Sequence, residues 1–337
     1  MQEGDAMPAL AIALLLAQAV DVHGLVDVFY AYNAHGSENF LPGTGTTAHR
    51  ANEVSLNAAA LDVALEPKPV GFHLTLAYGT GPEVVHAAER EPEIWRAIYQ
   101  ASVSYTASIG SGLLFEAGIY PSHIGYESFF SKDNWNYTRG YMGEFSPYYQ
   151  AGLKIAYAFD AHWSAQIHFL NGWQIIEDNN RAKAVGTQIA FAGDRLSVAL
   201  NTFAGPELPG DDSHWRLFGD VTAQYKATAQ LSLGATVDVG RQDRAKGAAA
   251  WHGAGLFARL ALNQKAALAL RAEYYDDADG FLSGTPQLLK DGTVTLELRP
   301  AEHLVLKLEG RFDASDAAVF ASSKTQALAL ASAVATF

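Results

Sequence analysis

Residues 71–79 have the sequence GFHLTLAYG, in which every second residue from Phe72 to Tyr78 is large and apolar. In an extended chain these residues share one side, and the residues between them share the other. This period of two predicts a β-strand with one apolar face, since helical spacing fits it poorly. The same alternation recurs towards the C-terminus, for example over 231–239 and 304–311. The sequence therefore predicts an all-β protein.

The connectors between the predicted strands alternate in length. Seven short connectors, such as 109–111 and 228–229, alternate with eight long polar ones, of which 122–146 is the longest, so that about 16 strands are predicted. Most of the predicted strands span 10 to 13 residues, and the fourth strand is predicted at 95–108. Strands of soluble proteins cluster near five or six residues, whereas a strand that crosses a bilayer needs about 9 to 11. The lengths favour a transmembrane antiparallel up-and-down β-barrel over a soluble sandwich, with long external loops, short periplasmic turns and both termini in the periplasm.

Composition excludes several other classes. The 337 residues include no cysteine, which excludes a disulfide framework, a thiolate zinc site and a cysteine nucleophile. With 23 basic and 36 acidic side chains the net charge is −13, which argues against a nucleic-acid partner. The longest aliphatic run, Ala9 to Ala17, is far shorter than the roughly 20 residues of a spanning helix.

The N-terminus indicates export. Residues 7–19, MPALAIALLLAQA, form a short apolar stretch that ends in the small-x-small sequence Ala17-Gln18-Ala19. This pattern predicts a cleaved signal peptide over 1–19 and a single barrel domain over 20–337. The leader contains Glu3 and Asp5 but no Lys or Arg, which is unusual for a signal peptide, and a buried N-terminal helix or strand is the alternative.

In a membrane barrel the apolar face of each strand meets lipid and the polar face lines a water-filled lumen. Aromatic residues near strand ends, such as Tyr78, Trp95 and Trp163, predict two girdles at the membrane interfaces. Bases and acids that are out of phase with the apolar set occur in nearly equal numbers. The predicted lumen-facing residues are Arg96, Glu116, Lys154, Asp220, Asp238, Arg259, Arg271, Glu273, Glu297, Arg299, Lys307, Glu309 and Arg311.

Two segments resemble a known family: VDVFYAYNAHGSENF (26–40) and FEAGIYPSHIGYESFFSKDNWNYTRGYMGEFSPYYQAGLKIAYAF (115–159). The order of residues resembles that of the OmpL-like β-barrel porins of Gram-negative bacteria. The matching positions are Ala117-Gly118, Gly125 with Glu127, Asn134, Arg139 and Pro147. The resemblance implies an outer-membrane channel. Small residues at 331, 333 and 335, in phase with the terminal Phe337, depart from the usual ending of such barrels.

The longest connector, 122–146, is the candidate for a functional site. The resemblance implies that this loop folds into the lumen and narrows the pore, where its charges would set selectivity. The pore-constriction candidates are Glu127, Asp133, Arg139 and Glu144. The alternative is an external loop whose charges are simply solvated.

Catalytic motifs are missing from the sequence: it contains neither G-x-S-x-G nor H-E-x-x-H. We therefore predict no catalytic residue, no cofactor and no metal, and a passive diffusion channel with a weak preference for cations, because the acidic surplus lies in loops. The predicted partners are outer-membrane lipid and small hydrophilic solutes or ions, and a homo-oligomer is left open. The alternatives are a non-conducting structural or adhesion barrel and a barrel enzyme with His123, His168 or His214 beside a serine.

Overall fold

The computed structural model describes residues 20–34 and 47–337. Sixteen strands form one closed barrel in which each strand pairs antiparallel with its neighbours in sequence, and β1 pairs with β16 to close it. The strands are β1 Asp21–Asn33, β2 Val54–Leu65, β3 Val70–Tyr78, β4 Ile98–Ala107, β5 Leu113–Pro121, β6 Tyr149–Ala158, β7 Trp163–Leu170, β8 Ala184–Ala192, β9 Leu196–Pro206, β10 Trp215–Lys226, β11 Leu231–Asp243, β12 Ala248–Asn263, β13 Ala266–Asp277, β14 Gln287–Ala301, β15 Leu304–Ser315 and β16 Thr325–Thr336. The predicted fold and strand number are confirmed. The predicted signal peptide lies outside the described residues.

Within the described residues, helical structure is confined to the longer connectors. It consists of α1 Thr80–Val85 and α2 Pro92–Trp95 between β3 and β4, and of a 3₁₀ turn Ser131–Asp133 and α3 Tyr141–Glu144 between β5 and β6. Among the described residues no helix is long and apolar enough to cross a membrane.

The prediction that Arg96 faces the lumen from a strand is wrong. β4 begins at Ile98, and Arg96 caps the C-terminus of α2 in an external loop. Pro92 occupies the first turn of α2, where its fixed φ angle and missing N–H favour the start of a helix. The side chain of Arg96 then pairs with Glu93, one turn earlier. Trp95, predicted to belong to an interfacial girdle, also lies in this helix.

The two faces of each strand differ in polarity and exposure, as the period of two predicts: apolar side chains are exposed on the outer face, and polar side chains are buried on the inner face. On β11 the outward side chains of Leu233, Val237 and Val239 are 40%, 49% and 60% exposed, whereas the inward Thr236 and Asp238 are 2% exposed. Arg241, paired with Asp243, ends this outward apolar row. Exposed aromatic residues lie at both ends of the outer face: Tyr30, Tyr32, Tyr78, Trp215 and Tyr274 at the long-loop end, and Tyr105, Phe159, Trp163 and Tyr225 at the short-turn end.

Candidate functional site

The connector between β5 and β6, residues 122–148, crosses the interior of the barrel; we call it the lumenal loop. The backbone N–H of Thr138 donates to Glu309 on β15 at 3.0 Å, and the hydroxyl of Tyr137 donates to Asp27 on β1 at 2.9 Å. The backbone N–H of Tyr141 donates to Glu273 on β13. Since β13 lies halfway round the sixteen-strand barrel from β5, these contacts place the loop across the lumen.

Wall charges satisfy the backbone of the lumenal loop. The carboxylate of Glu309 accepts from the N–H groups of Tyr137 (2.6 Å) and Thr138 (3.0 Å). The ammonium of Lys307, which is fully buried, donates to the carbonyls of Ser131 (2.8 Å) and Asn136 (3.3 Å). An irregular segment inside a barrel needs such partners, because buried N–H and C=O groups are costly without them. The charged wall therefore holds the loop in place.

Two arginines of the wall form a buried charge cluster under the loop. Arg271 pairs with Glu127 of the loop at 3.0 Å and with Asp291 of β14 at 2.9 Å. Arg311 pairs with the same Asp291 at 2.8 Å and with Asp313 at 2.7 Å. Both guanidinium groups also donate to loop carbonyls, those of Thr138 and Arg139. The two guanidinium charges are therefore fully compensated by the three carboxylates, and almost none of the arginine side-chain surface is exposed.

The residues that carry the family resemblance build the loop itself. Asn134 accepts from the N–H of Ser128 at 2.7 Å and donates to its carbonyl at 2.8 Å. The Nε of Arg139 donates to the same carbonyl at 2.9 Å. Gly118 has a φ of +131°, and a Cβ there would lie 2.2 Å from the carbonyl oxygen of Ala101. Glycine is therefore required where the strand leads into the loop.

The four pore-constriction candidates do not form one open ring of charges. Glu127 is buried between Arg271 and the N–H of Gly140, which donates to it at 2.7 Å. Arg139 is fully buried, and Glu144 is 8% exposed. Asp133 has an accessible side chain and pairs with Lys132 at 2.7 Å.

The predicted lumen-facing residues other than Arg96 all lie at inward strand positions, in two groups. The first group is buried against the lumenal loop or its charge cluster: Asp220, Asp238, Arg271, Glu273, Lys307, Glu309 and Arg311. The second group forms ion pairs nearer the short-turn end: Glu116 with Lys154, and Glu297 with Arg259 (2.8 Å) and Arg299 (3.0 Å).

Sequence reasoning missed several residues of this site. Asp291 and Asp313 complete the arginine cluster, and their period-two phase with Glu297 and Glu309 could have identified them. It also missed a row of uncharged amides, because only charges were sought. Gln166 donates to Gln188 at 3.0 Å, and Gln188 donates to Asn201 at 2.8 Å.

The outer half of the interior is rich in aromatic side chains. The guanidinium carbon of Arg216 lies 5.2 Å from the ring centre of Trp173, 5.9 Å from that of Trp251 and 5.6 Å from that of Phe281. Trp173 and Phe281 belong to external loops, whereas Arg216 and Trp251 belong to the wall. Cation–π contacts of this kind join the loops to the wall at the outer mouth.

The external loops after β3 and β7 are also bound to each other. Trp95 donates to Glu177 at 2.9 Å, and Gln174 donates to the carbonyl of Val85 at 3.0 Å. The ring of His86 stacks on Tyr149 with 4.6 Å between centres, and its burial lowers the pKa of His86 to about 4.

We expect acidification to loosen this pair of loops. The pKa of His86 is lower in the folded protein than the ordinary 6.5, so its stabilising contribution is present above pH 6.5 and is lost as the pH falls towards about 4. Burial raises the pKa of the adjacent Glu89, which acts in the opposite direction. The protection factors of the backbone amides of residues 80–97, taken against the intrinsic exchange rate at each pH, should therefore fall on acidification in the wild type and less so in His86→Phe. An equal loss of protection in both proteins would refute the role of His86.

The sequence matches the family described as "Putative beta-barrel porin-2, OmpL-like" over residues 19–337. The chain belongs to this porin family. The resemblance of the lumenal loop and its flanking strands is thereby confirmed. No curated protein is similar enough in sequence to be matched.

Solved structures similar to this porin include an outer-membrane channel and an anion-selective porin. OmpF of Salmonella typhi, solved with daunomycin, has a TM-score of 0.66 and 12% identity over 95% of this chain and 98% of its own. The outer-membrane channel DcaP of Acinetobacter baumannii has a TM-score of 0.65 and 12% identity, with 94% and 97% covered. An anion-selective porin from Comamonas acidovorans has a TM-score of 0.63 and 12% identity, with 95% and 100% covered. Family and fold are those of an outer-membrane channel.

Proposed function

We propose that this porin is a passive diffusion channel for small hydrophilic solutes or ions, with a weak preference for cations. The observation that supports it best is the lumenal loop, which crosses a sixteen-strand barrel and is bound to the opposite wall. A barrel of this size encloses an aqueous interior unless loops fill it. The polar lumen replaces the hydration that a solute would lose in lipid, and the loop sets the width of the passage.

Within this proposal the constriction candidates have two different roles. Glu127, Arg139 and Glu144, which are buried, fix the position of the loop, whereas Asp133 and Lys132 present charge to the aqueous passage. The weak cation preference arises at the external mouth, where the chain carries Asp211, Asp212, Asp276 and Asp279; Asp277, in the same region, is buried and accepts hydrogen bonds from the backbone of its own loop. Some of these charges are compensated, as in the pair of Asp212 with Arg181 at 3.0 Å. The preference should therefore be small.

Planar-bilayer recording of the refolded protein tests this function. We expect stable, stepwise conductance and, in a salt gradient, a small reversal potential of the sign that indicates cation preference. The potential should shrink at high salt, because external loop charges are screened over about 10 Å at 0.1 M and about 3 Å at 1 M. A folded barrel that never conducts would contradict the proposal. An anion-selective potential would contradict the cation preference alone.

The aromatic contacts at the outer mouth favour a second candidate, a non-conducting structural barrel closed by its own loops. Trp173 packs against Phe203 (5.0 Å between ring centres) and Phe218 (4.8 Å), both of which are wall residues that face inward. In this case the wild type would be silent, and Arg216→Met, which removes the cation from the cluster, would begin to conduct. Conductance of the wild type would exclude this candidate.

Enzymatic activity is not part of the proposed function. Of the histidines considered for a dyad, His214 lies beside Ser213 at 3.2 Å, but the same ring nitrogen, Nδ1, also faces Asp211. A Ser-His-Asp relay needs opposite ring nitrogens for the two partners. Among the described residues no group of three His, Asp or Glu side chains could hold a metal ion.

We also propose that export removes residues 1–19 and leaves one barrel domain that lies in outer-membrane lipid. The outward apolar rows described above support the lipid contact. OmpT of Vibrio cholerae, of similar fold, has been solved in a trimer form, and we propose a homo-oligomer for this porin as well. The intact mass of protein extracted from outer membranes, with and without cross-linking, tests both statements.

A further inference from the structure

Half of the barrel wall is almost free of charge between the lumenal loop and the short-turn end. On β4 to β11 the inward strand positions in this region carry small or polar uncharged side chains, among them Ser104, Ser164, Gln166, Gln188, Gln224 and Ser232. We call this surface the neutral wall. The charges on it are Glu116 and Lys154, which face each other across β5 and β6, and Lys226 at the rim; Asp220, which pairs with Asn201 at the upper edge, is buried against the lumenal loop.

Glu116 and Lys154 compensate each other. They form an ion pair, and Glu116 also accepts from the hydroxyl of Ser102 at 2.7 Å. The ammonium of Lys154 lies 5.2 Å from the ring centre of Tyr120, and its side chain keeps 19% of its surface exposed. The pair is therefore in reach of water in the lumen but presents no net charge to a solute.

The other ionisable side chains of the lower lumen lie on the opposite side. Glu297 lies between Arg259 and Arg299, which leaves one positive charge in excess, and Asp62, whose carboxylate lies 2.6 Å from the ring nitrogen of His73, supplies one negative charge. The remaining charged residues of the site, among them Asp220 and Asp238, are buried against the lumenal loop. The acids and bases of the lower lumen, apart from Lys226 at the rim, are therefore equal in number, so that a solute meets no net charge there.

Amide side chains suit a different class of solute. Each carboxamide offers both a donor and an acceptor, as hydroxyl and amide groups of a solute do. Gln166, Gln188 and Asn201 already form a hydrogen-bonded row along this wall, at 3.0 Å and 2.8 Å. Such a surface can exchange its hydrogen bonds with a passing sugar or polyol without a change of charge.

We propose that the solutes this channel favours are uncharged and rich in hydroxyl or amide groups, and that the Glu116–Lys154 pair keeps its lumen non-selective between anions and cations. The inference rests on the proposed function as a channel. At low salt the external loops add a weak cation preference to this non-selective lumen. That preference disappears when the loop charges are screened.

Charge variants of the pair give the sharpest electrical test. At 1 M mean salt we expect a reversal potential close to zero for the wild type, a shift towards anion selectivity for Glu116→Gln and an opposite shift for Lys154→Met. The double variant should return to the wild-type value. Lys265→Met and Glu302→Gln, which remove exposed charges from periplasmic turns, are the matched controls and should not move it. Shifts of one sign only, or shifts no larger than those of the controls, would overturn the role of the pair.

Swelling of liposomes that contain the porin tests the solute class. Glucose, gluconate and glucosamine are similar in size but neutral, anionic and cationic, and at 1 M salt, which screens the external loop charges, we expect glucose to enter fastest. Equal or faster entry of either charged sugar would overturn the inference. If the folded protein admits none of the three and carries no current, the proposed function itself fails. Conductance with a charged sugar preferred would refute the solute class alone.

Discussion

Replacing residues 127–143 of the lumenal loop by a short Gly-Ser linker should raise the single-channel conductance at least about threefold, because a sixteen-strand barrel without an inserted loop leaves a wide aqueous channel. The barrel should survive the change. Removal of the loop exposes Arg271, Arg311 and Glu309 to water in the lumen, so that no buried charge is left without a partner. Wall ion pairs, such as Arg311 with Asp313, also remain.

The matched control replaces residues 208–213, in the external loop between β9 and β10, by a linker of the same kind. This segment lies outside the lumen and is largely exposed, so at 1 M salt, where the charges of Asp211 and Asp212 are screened, the conductance should stay at the wild-type value. Heat-modifiable migration on gels should verify that both variants fold. An unchanged conductance of a folded loop variant would show that the aromatic cluster around Arg216, and not the lumenal loop, limits the passage.

Substitution of Val237 by Arg should destabilise the barrel by about 2–4 kcal/mol, which is the typical cost of a charge facing the middle of the bilayer. Val237 faces outward on β11, is 49% exposed on the isolated chain and lies midway between Leu233, the partner of Tyr225 in the short-turn girdle, and Arg241 at the other end. The outward row to which it belongs runs from Leu231 to Val239 and is apolar throughout. Equilibrium unfolding in lipid vesicles measures the change in the free energy of unfolding.

Val239→Arg on the same face of the same strand is the control for depth. Val239 ends the apolar row beside Arg241, where a charge already lies at the interface. The cost there should be about 0–1 kcal/mol, as found near membrane interfaces. Equal costs at the two positions, or none at Val237, would contradict the placement of this face in lipid.

Much of the architecture follows from local features of the sequence. The period of two depends on backbone geometry alone, and the turn-forming residues mark where each strand ends, so strand number and the orientation of faces are predictable without tertiary contacts. Arg96 shows the limit of this approach. The predicted fourth strand included Arg96, because the alternating pattern of β4 continues through this residue. Pro92 and the spacing of Glu93 and Arg96 nevertheless favour a helical turn.

The candidate site was only partly predictable. Alternation placed Lys307, Glu309 and Arg311 on the inward face of β15, but it could not show that they bind the lumenal loop instead of facing water. Arg271 and Glu127, for example, are 144 residues apart and meet only because the barrel closes and the loop crosses it. The sequence by itself thus determined the strands, their two faces and the barrel, since these depend on periodicity along the chain. Only the tertiary structure decided which inward charges are neutralised and which part of the lumen stays uncharged, because ion pairing depends on distances between segments that no local pattern encodes.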